Sequence, residues 1–248
     1  PAHYDRLLKS LQSRIKSSSA RKRTKIDKPE KKQERIEVVS IDKIERTFND
    51  VTYRQEVLKR FFGFIKSYES FYLIGGSSVG KTRLFEFLMR SDIQEYYIGD
   101  QTKHLWLIRV NPSLLTDIQE AWMFYELLIN SLLRTSINRN VSEELKAELA
   151  RLDSDVIESQ NLVKAIRFFD LVVNKLCQVY DVQLCFFFDE FDEAYKHLPH
   201  DVFTQLRAIR DANKYRILYI LFFRNLPEKL RPPSDNEAFY ELISRNVV

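Results

Sequence analysis

From about residue 50 onward, short apolar runs alternate with longer stretches in which apolar residues recur every three or four positions. The short runs predict strands and the longer stretches predict amphipathic helices. Strands are predicted at 71–74, 104–110, 183–188 and 215–223. Helices are predicted at 51–65, 81–90, 113–134, 139–160, 161–180, 201–213 and 235–245, and we interpret the charged segment 139–160 as an insertion. Because strands alternate with helices, we predict an α/β fold of the ASCE P-loop type, with a mostly parallel five-stranded sheet and helices on both faces.

The N-terminal part of the chain differs in composition from the rest. Residues 14–36 carry ten Lys or Arg against three Asp or Glu, a net charge of +7 in a chain whose total is +4. We therefore expect a flexible or helical basic arm at 1–36 and one folded ATPase core at 37–248. No apolar run approaches the about 20 residues of a membrane span, so we expect a cytoplasmic or nucleoid-associated protein without a membrane partner. Cys177 and Cys185 are expected to be buried free thiols.

A glycine-rich motif follows the first predicted strand. The segment 75–82, GGSSVGKT, matches G-x-x-x-x-G-K-[ST] in full and holds three of the five glycines of the chain. Glycines let backbone N–H groups turn inward onto phosphate oxygens, and the following helix adds its positive dipole end. We expect Lys81 to reach the β and γ phosphates and Thr82 to give its hydroxyl to Mg²⁺. The predicted nucleotide-binding residues are Gly75, Gly76, Ser77, Ser78, Val79, Gly80, Lys81, Thr82 and Arg83.

A second motif ends the third predicted strand. The segment 184–190, LCFFFDE, places Asp189 and Glu190 directly after five apolar residues. This pattern is typical of a Walker B strand, in which Asp189 would hold Mg²⁺ and Glu190 would polarise the attacking water as a general base. We interpret Asp192 and Glu193, which follow closely, as solvated or structural residues.

The distribution of glycines narrows the class of P-loop protein. No glycine follows Gly99, so neither the D-x-x-G switch of GTPases nor the glycine-rich signature of ABC-type ATPases can occur downstream. The segment 174–177, NKLC, lacks the aspartate of the guanine-binding motif N-K-x-D. An ATPase with a catalytic glutamate remains, and its expected cofactors are ATP and Mg²⁺.

With both motifs in place, the segment 50–248 resembles the AAA+ ATPases, especially their origin-recognition-like branch, and the neighbouring STAND signalling ATPases. The segment 52–65, TYRQEVLKRFFGFI, is similar to the helix that precedes the P-loop in these families and closes over adenine. The resemblance implies that Arg54 contacts the nucleotide. The segment 107–115, LIRVNPSLL, resembles the second strand of the family and its polar exit. The family's lid domain would lie beyond residue 248.

Two further resemblances lie in the C-terminal part. The segment 217–225, ILYILFFRN, resembles the sensor-1 strand, whose polar end contacts the γ phosphate or water. This implies Asn225 in that role, with Arg224 as the second candidate. The segment 241–248, ELISRNVV, resembles the element that supplies an arginine finger to a neighbouring subunit, which implies that Arg245 acts in a homo- or hetero-oligomer. The predicted catalytic residues are then Glu190, Lys81, Asn225 and Arg245.

These expectations converge on Mg²⁺-dependent ATP hydrolysis in which the nucleotide state switches conformation or oligomeric assembly. Two alternatives stay open. The basic arm and the resemblance to initiators also fit a platform that binds DNA or RNA and in which ATP is mainly structural. The resemblance to STAND proteins fits a signalling scaffold with flanking sensor or effector domains.

Overall fold

The computed structural model describes residues 55–75, 81–115, 120–139, 141–232, 237–243 and 245–247. The predicted basic arm, Arg54 and the loop residues Gly76, Ser77, Ser78, Val79 and Gly80 lie outside them, as do the side chains of Lys81, Thr82 and Arg245. The strands are β1 (Phe71–Ile74), β2 (Leu105–Val110), β3 (Gln183–Phe188), β4 (Ile217–Phe223) and β5 (Arg245–Val247). The helices are α1 (Gln55–Lys66), α2 (Lys81–Leu88), α3 (Ser91–Ile98), α4 (Ala121–Ile137), α5 (Glu143–Ser159), α6 (Leu162–Gln178), α7 (Asp192–His197), α8 (His200–Ala212), α9 (Pro227–Leu230) and α10 (Glu237–Leu242). Short 3₁₀ turns occupy Gly99–Lys103 and Pro112–Leu114.

The strands form one sheet in the order β2-β3-β4-β1-β5, and every pairing between neighbouring strands is parallel. The first four strands lie where the apolar runs predict them. The fifth strand was not assigned from the sequence, because its three residues fall in the segment that resembles the arginine-finger element. The predicted α/β architecture with a parallel sheet is confirmed.

Helices cover both faces of the sheet. Adjacent residues of a strand point to opposite faces, so Phe186 and Phe187 of β3 belong to different cores. The ring of Phe187 lies 4.6 Å from that of Phe85 in the core under α1, α2 and α3. The ring of Phe186 lies 5.6 Å from that of Phe169 in the larger core under α4–α8 and α10. Burial of each such ring contributes roughly 1.5–3 kcal/mol, which explains why β3 and β4 are apolar at nearly every position.

One helix prediction needs correction, and the next is confirmed. The helix predicted at 113–134 spans Ala121–Ile137, and Pro112, which has no N–H to donate, begins a 3₁₀ turn directly after β2. The charged segment 139–160, interpreted as an insertion, forms α5, whose start is capped by Ser142. This helix buries Leu149 and Val156 completely in the main core, and its interpretation as an insertion stays a prediction. None of the described helices is long and apolar enough to cross a membrane.

Candidate functional site

The carboxyl ends of β1, β3 and β4 meet at one edge of the sheet, and the two sequence motifs begin there. The backbone N–H of Gly75 donates to the carbonyl of Phe223 at 2.9 Å, which fixes the start of the glycine-rich segment beside the end of β4. Helix α2 begins at Lys81, so the loop lies between a strand end and a helix N-terminus, the context that a phosphate-binding loop requires. Arg83 lies in the first turn of α2 with an exposed side chain.

The first carboxylate of this edge, Asp189, directly follows β3. Its backbone N–H donates to the carbonyl of Val110 at 2.9 Å, and its side chain is only 8% exposed. The Arg109 guanidinium donates to Asp189 Oδ2 at 2.7 Å and lies 4.8 Å from the centre of the Phe85 ring. Arg109 is not among the functional residues predicted from the sequence. The sequence does contain a sign of it, since Arg109 is the one charged residue in the otherwise apolar strand β2 and also its one exposed position.

Glu190 is held in an unusual backbone conformation. Its φ of 52° lies in the left-handed region, which residues other than glycine seldom adopt and which is common at functional sites. The Glu190 side chain is partly exposed, and its Oε1 accepts a hydrogen bond from Arg224 Nη2. This carboxylate raises the pKa of Arg224 above its usual value. The two residues form an ion pair across the ends of β3 and β4.

Asp192 has a structural role at the same edge. Its carboxylate is buried, and Oδ2 accepts from the backbone N–H of Arg224 at 2.8 Å. Its Oδ1 accepts from the backbone N–H of Asn225 at 3.0 Å and from Asn225 Nδ2 at 2.9 Å. Asp192 therefore fixes the chain where it leaves β4, and the side-chain amide of Asn225 donates to the first residue of α7. Of the two interpretations offered for Asp192, the structural one is correct.

A small cavity of about 150 Å³ brings these groups together. Its lining includes Ser113 from the turn after β2, Glu190 and Asp192 from the loop after β3, and Arg224 and Asn225 from the end of β4. The volume holds a few water molecules. Glu190 and Asn225, two of the residues proposed from the sequence as catalytic, therefore line the same cavity.

The donor set at this edge fits a magnesium ion with few protein ligands. Among the described residues no three His, Cys, Asp or Glu side chains cluster as metal ligands would. Mg²⁺ in nucleotide sites usually takes one or two carboxylates and completes its octahedron with water and phosphate oxygens. Asp189 supplies a carboxylate of this kind, and the hydroxyl of Thr82 would be its partner from the glycine-rich motif.

The position of Arg245 can be read from the strand register. Residue 245 pairs with Phe71, the first residue of β1, whereas the glycine-rich motif follows Ile74, the last. At about 3.3 Å per residue, the backbone of Arg245 lies roughly 10 Å back along the sheet from its own phosphate loop. This placement separates Arg245 from the residues gathered at the carboxyl edge of its own chain.

The comparisons with known proteins identify the fold. No protein-family model and no curated protein sequence matches the chain. ORC2 of Aeropyrum pernix, in its ADPNP-ADP complexes, has a TM-score of 0.50 at 15% identity over 82% of this chain and 50% of that one. The ADP form of the same protein has a TM-score of 0.51 at 12% identity over 82% and 51%.

A third structure, CDC6P of Pyrobaculum aerophilum, has a TM-score of 0.45 at 14% identity over 81% of this chain and 48% of that one. The chain spans about half the length of all three proteins. The two ORC2 structures show that this chain shares the fold of ORC2. They lend no support to the STAND resemblance.

Proposed function

We propose that this chain binds ATP with Mg²⁺ and hydrolyses it, and that the nucleotide state switches its conformation or its oligomeric assembly. The observation that carries the proposal is the placement of Asp189 and Glu190 at the carboxyl edge, beside the β4 end to which Gly75 is hydrogen-bonded. The fold shared with ORC2, which was solved with ADPNP and ADP, supports a nucleotide ligand. We further propose the division into a basic arm at 1–36 and an ATPase core at 37–248.

The proposed roles follow from the chemistry of each group. The backbone N–H groups of the glycine-rich motif bind phosphate oxygens, Lys81 neutralises the β and γ phosphates, and Arg54 and Arg83 complete the nucleotide contacts. Thr82 and Asp189 hold Mg²⁺, which supplies charge neutralisation at the phosphates when bound. Glu190 orients and polarises the attacking water. The remaining proposed catalytic residues are Asn225, which contacts that water or the γ phosphate, and Arg245, which acts on the site of a neighbouring subunit.

The ion pair between Glu190 and Arg224 gives the proposed cycle a resting state. While Glu190 Oε1 accepts a hydrogen bond from Arg224, that oxygen is occupied and does not face the attacking water. Glu190 must therefore exchange Arg224 for the attacking water before it can act. Both side chains are partly exposed, so the exchange needs only side-chain rotation.

The test compares ATP binding and turnover in three variants. Glu190→Gln should bind ATP with wild-type affinity and hydrolyse it at least about 100-fold more slowly, the usual scale for loss of a positioned base. Lys81→Ala should lose binding itself. Glu193→Gln is the matched control, because Glu193 lies three residues further on and pairs with Lys196 at 2.6 Å. Unchanged turnover in Glu190→Gln would remove this residue from the mechanism.

A platform that binds DNA or RNA is the second candidate function, favoured by the +7 charge of residues 14–36. Each phosphate that the arm neutralises should contribute about −0.9 to the slope of log affinity against log salt. Deletion of the arm should therefore reduce both the affinity and this slope for a duplex probe. An unchanged slope would leave the arm without a role in nucleic-acid binding.

The STAND-type scaffold stays as a third interpretation. It predicts that ATP analogues convert the protein into a larger assembly than ADP does, because ATP binding would open an oligomerisation surface. Light scattering in both nucleotide states measures this difference, and the same particle mass in both states would count against it.

A further inference from the structure

A second cavity lies at the edge of the sheet formed by strand β2. Strand β2 is the terminal strand, and residues of β2, α2 and α4 line the cavity, which is open to solvent on one side. Its volume is about 460 Å³, within the range of small-molecule sites. Apolar side chains, among them Phe85, Leu107 and Leu127, form part of its wall.

Three arginines converge on this cavity. They are Arg109 from β2, Arg134 from α4, and Arg139 from the segment after α4. No Asp or Glu is among the described residues that line it. Side-chain amides, including those of Asn111 and Asn138, supply further polar groups to the wall. Such a lining is positive and rich in hydrogen-bond donors.

The three arginines differ in the hydrogen bonds and ion pairs that their guanidinium groups already make within the protein. Arg109 is shared with Asp189, as described above. Arg139 donates to the carbonyl of Leu105 at 3.1 Å and so covers an unpaired group of the edge strand, and burial lowers its pKa. Arg134 is exposed and makes no ion pair within 4 Å with a described carboxylate.

Arg134 interacts electrostatically with the carboxyl groups of Glu126 and Asp153. Neither of these residues lines the cavity. Arg134 acts on the pKa of both only as a minor contribution, after burial and their mutual interaction. Two of the three guanidinium groups therefore retain donors for a ligand. Guanidinium groups match phosphate oxygens with parallel hydrogen bonds, which makes a clustered pair a suitable phosphate site.

We propose that this cavity binds a small organic phosphate, a ligand with one or two phosphate groups on a flat or apolar body. The phosphates contact Arg134 and Arg139, and the body packs on the apolar wall near Phe85 and Leu127. The residues proposed to contact this ligand are not among those proposed to hold ATP or Mg²⁺, and the proposal stands whether or not the chain hydrolyses ATP.

The test uses pyrophosphate and ADP as probes, without magnesium, and measures binding by calorimetry. The Lys81→Ala variant serves as the background, so that the glycine-rich motif does not contribute. In that background both probes should bind saturably, with ADP the tighter because it adds an apolar body. Loss of one charge-assisted contact in Arg134→Gln should then weaken binding by at least about tenfold.

Arg151→Gln is the matched control, because Arg151 is an exposed arginine of α5 that pairs with Asp155 at 2.8 Å. It should leave both affinities unchanged, and thermal unfolding should show that each variant is folded. Binding weaker than about 1 mM in the Lys81→Ala background would overturn the proposal, as would equal affinity in Arg134→Gln. Pyrophosphate that binds as tightly as ADP would overturn the assignment of an organic body.

Discussion

Removal of the Asp192 carboxylate is the sharpest perturbation of the candidate site. Asp192 is the first residue of α7, is 6% exposed, and accepts three hydrogen bonds from the end of β4. Two of the donors are the backbone N–H groups of Arg224 and Asn225, which the ladder of the sheet does not satisfy. In Asp192→Ala these groups lose their acceptor, and no other described carboxylate contacts them.

The expected loss of stability follows from these three hydrogen bonds. A hydrogen bond to a charged group contributes a net of about 1.5–3 kcal/mol, and the contributions of neighbouring bonds are less than additive. We therefore expect Asp192→Ala to lower the free energy of unfolding by about 3–4 kcal/mol. At about 2–4 °C per kcal/mol for a chain of this size, the Tm should fall by about 10 °C. Asp192→Asn keeps one acceptor oxygen and should lie between this variant and the wild type.

Urea denaturation followed by circular dichroism measures the difference. Glu193→Ala is the matched control, because its exposed carboxylate pairs only with Lys196 and His197. A surface pair of this kind contributes at most about 1 kcal/mol. If Asp192→Ala proved as stable as Glu193→Ala, the hydrogen bonds that fix the end of β4 would not account for the geometry of the site.

Two further predictions concern groups outside the site. Burial, and then the neighbouring Asp153, raises the pKa of Glu126 from 4.5 to about 7. The unfolded state then releases its proton first, so the free energy of unfolding falls as the pH rises between these two values. After allowance for its partial exposure, Glu126→Gln should be more stable than the wild type by about 1 kcal/mol near pH 8, and no more stable near pH 4. Denaturant titration at both pH values measures this difference. An equal gain in stability at both pH values would contradict the prediction. Burial also raises the pKa of both Cys177, to about 12, and Cys185, so neither should react with a thiol reagent until the protein unfolds. Rapid labelling of the folded protein would contradict this.

The sequence was sufficient to predict where the strands end and which carboxylates stand there. β3 spans Gln183–Phe188, the same bounds as the predicted strand, because a central parallel strand is buried on both faces and is therefore apolar at nearly every position. Asp189 and Glu190 then necessarily emerge at the carboxyl edge. The free thiols Cys177 and Cys185 are buried, as their apolar neighbours predicted.

Other features depend on contacts between distant parts of the chain. The helices α3, α7 and α9 are short, and a stretch of four to eight residues shows too few turns for a helical period to be recognised. The pairing of Arg109 with Asp189 joins residues 80 positions apart. No local pattern encodes such a pair, since it arises only when β2 and β3 become neighbours in the sheet.

At the carboxyl edge, three residues are linked in series by hydrogen bonds that short sequence patterns could not predict. Asp192 fixes the backbone of Arg224, and the Arg224 side chain in turn bonds Glu190. The proposed general base is therefore held by a residue whose own position depends on Asp192, an aspartate that the sequence could interpret only as solvated or structural. The Asp192 carboxylate also holds Asn225. A contact that displaced Asn225 would therefore also shift the neighbouring backbone of Arg224. The end of β4 thus connects the residue proposed to sense phosphate with the residue proposed to activate water.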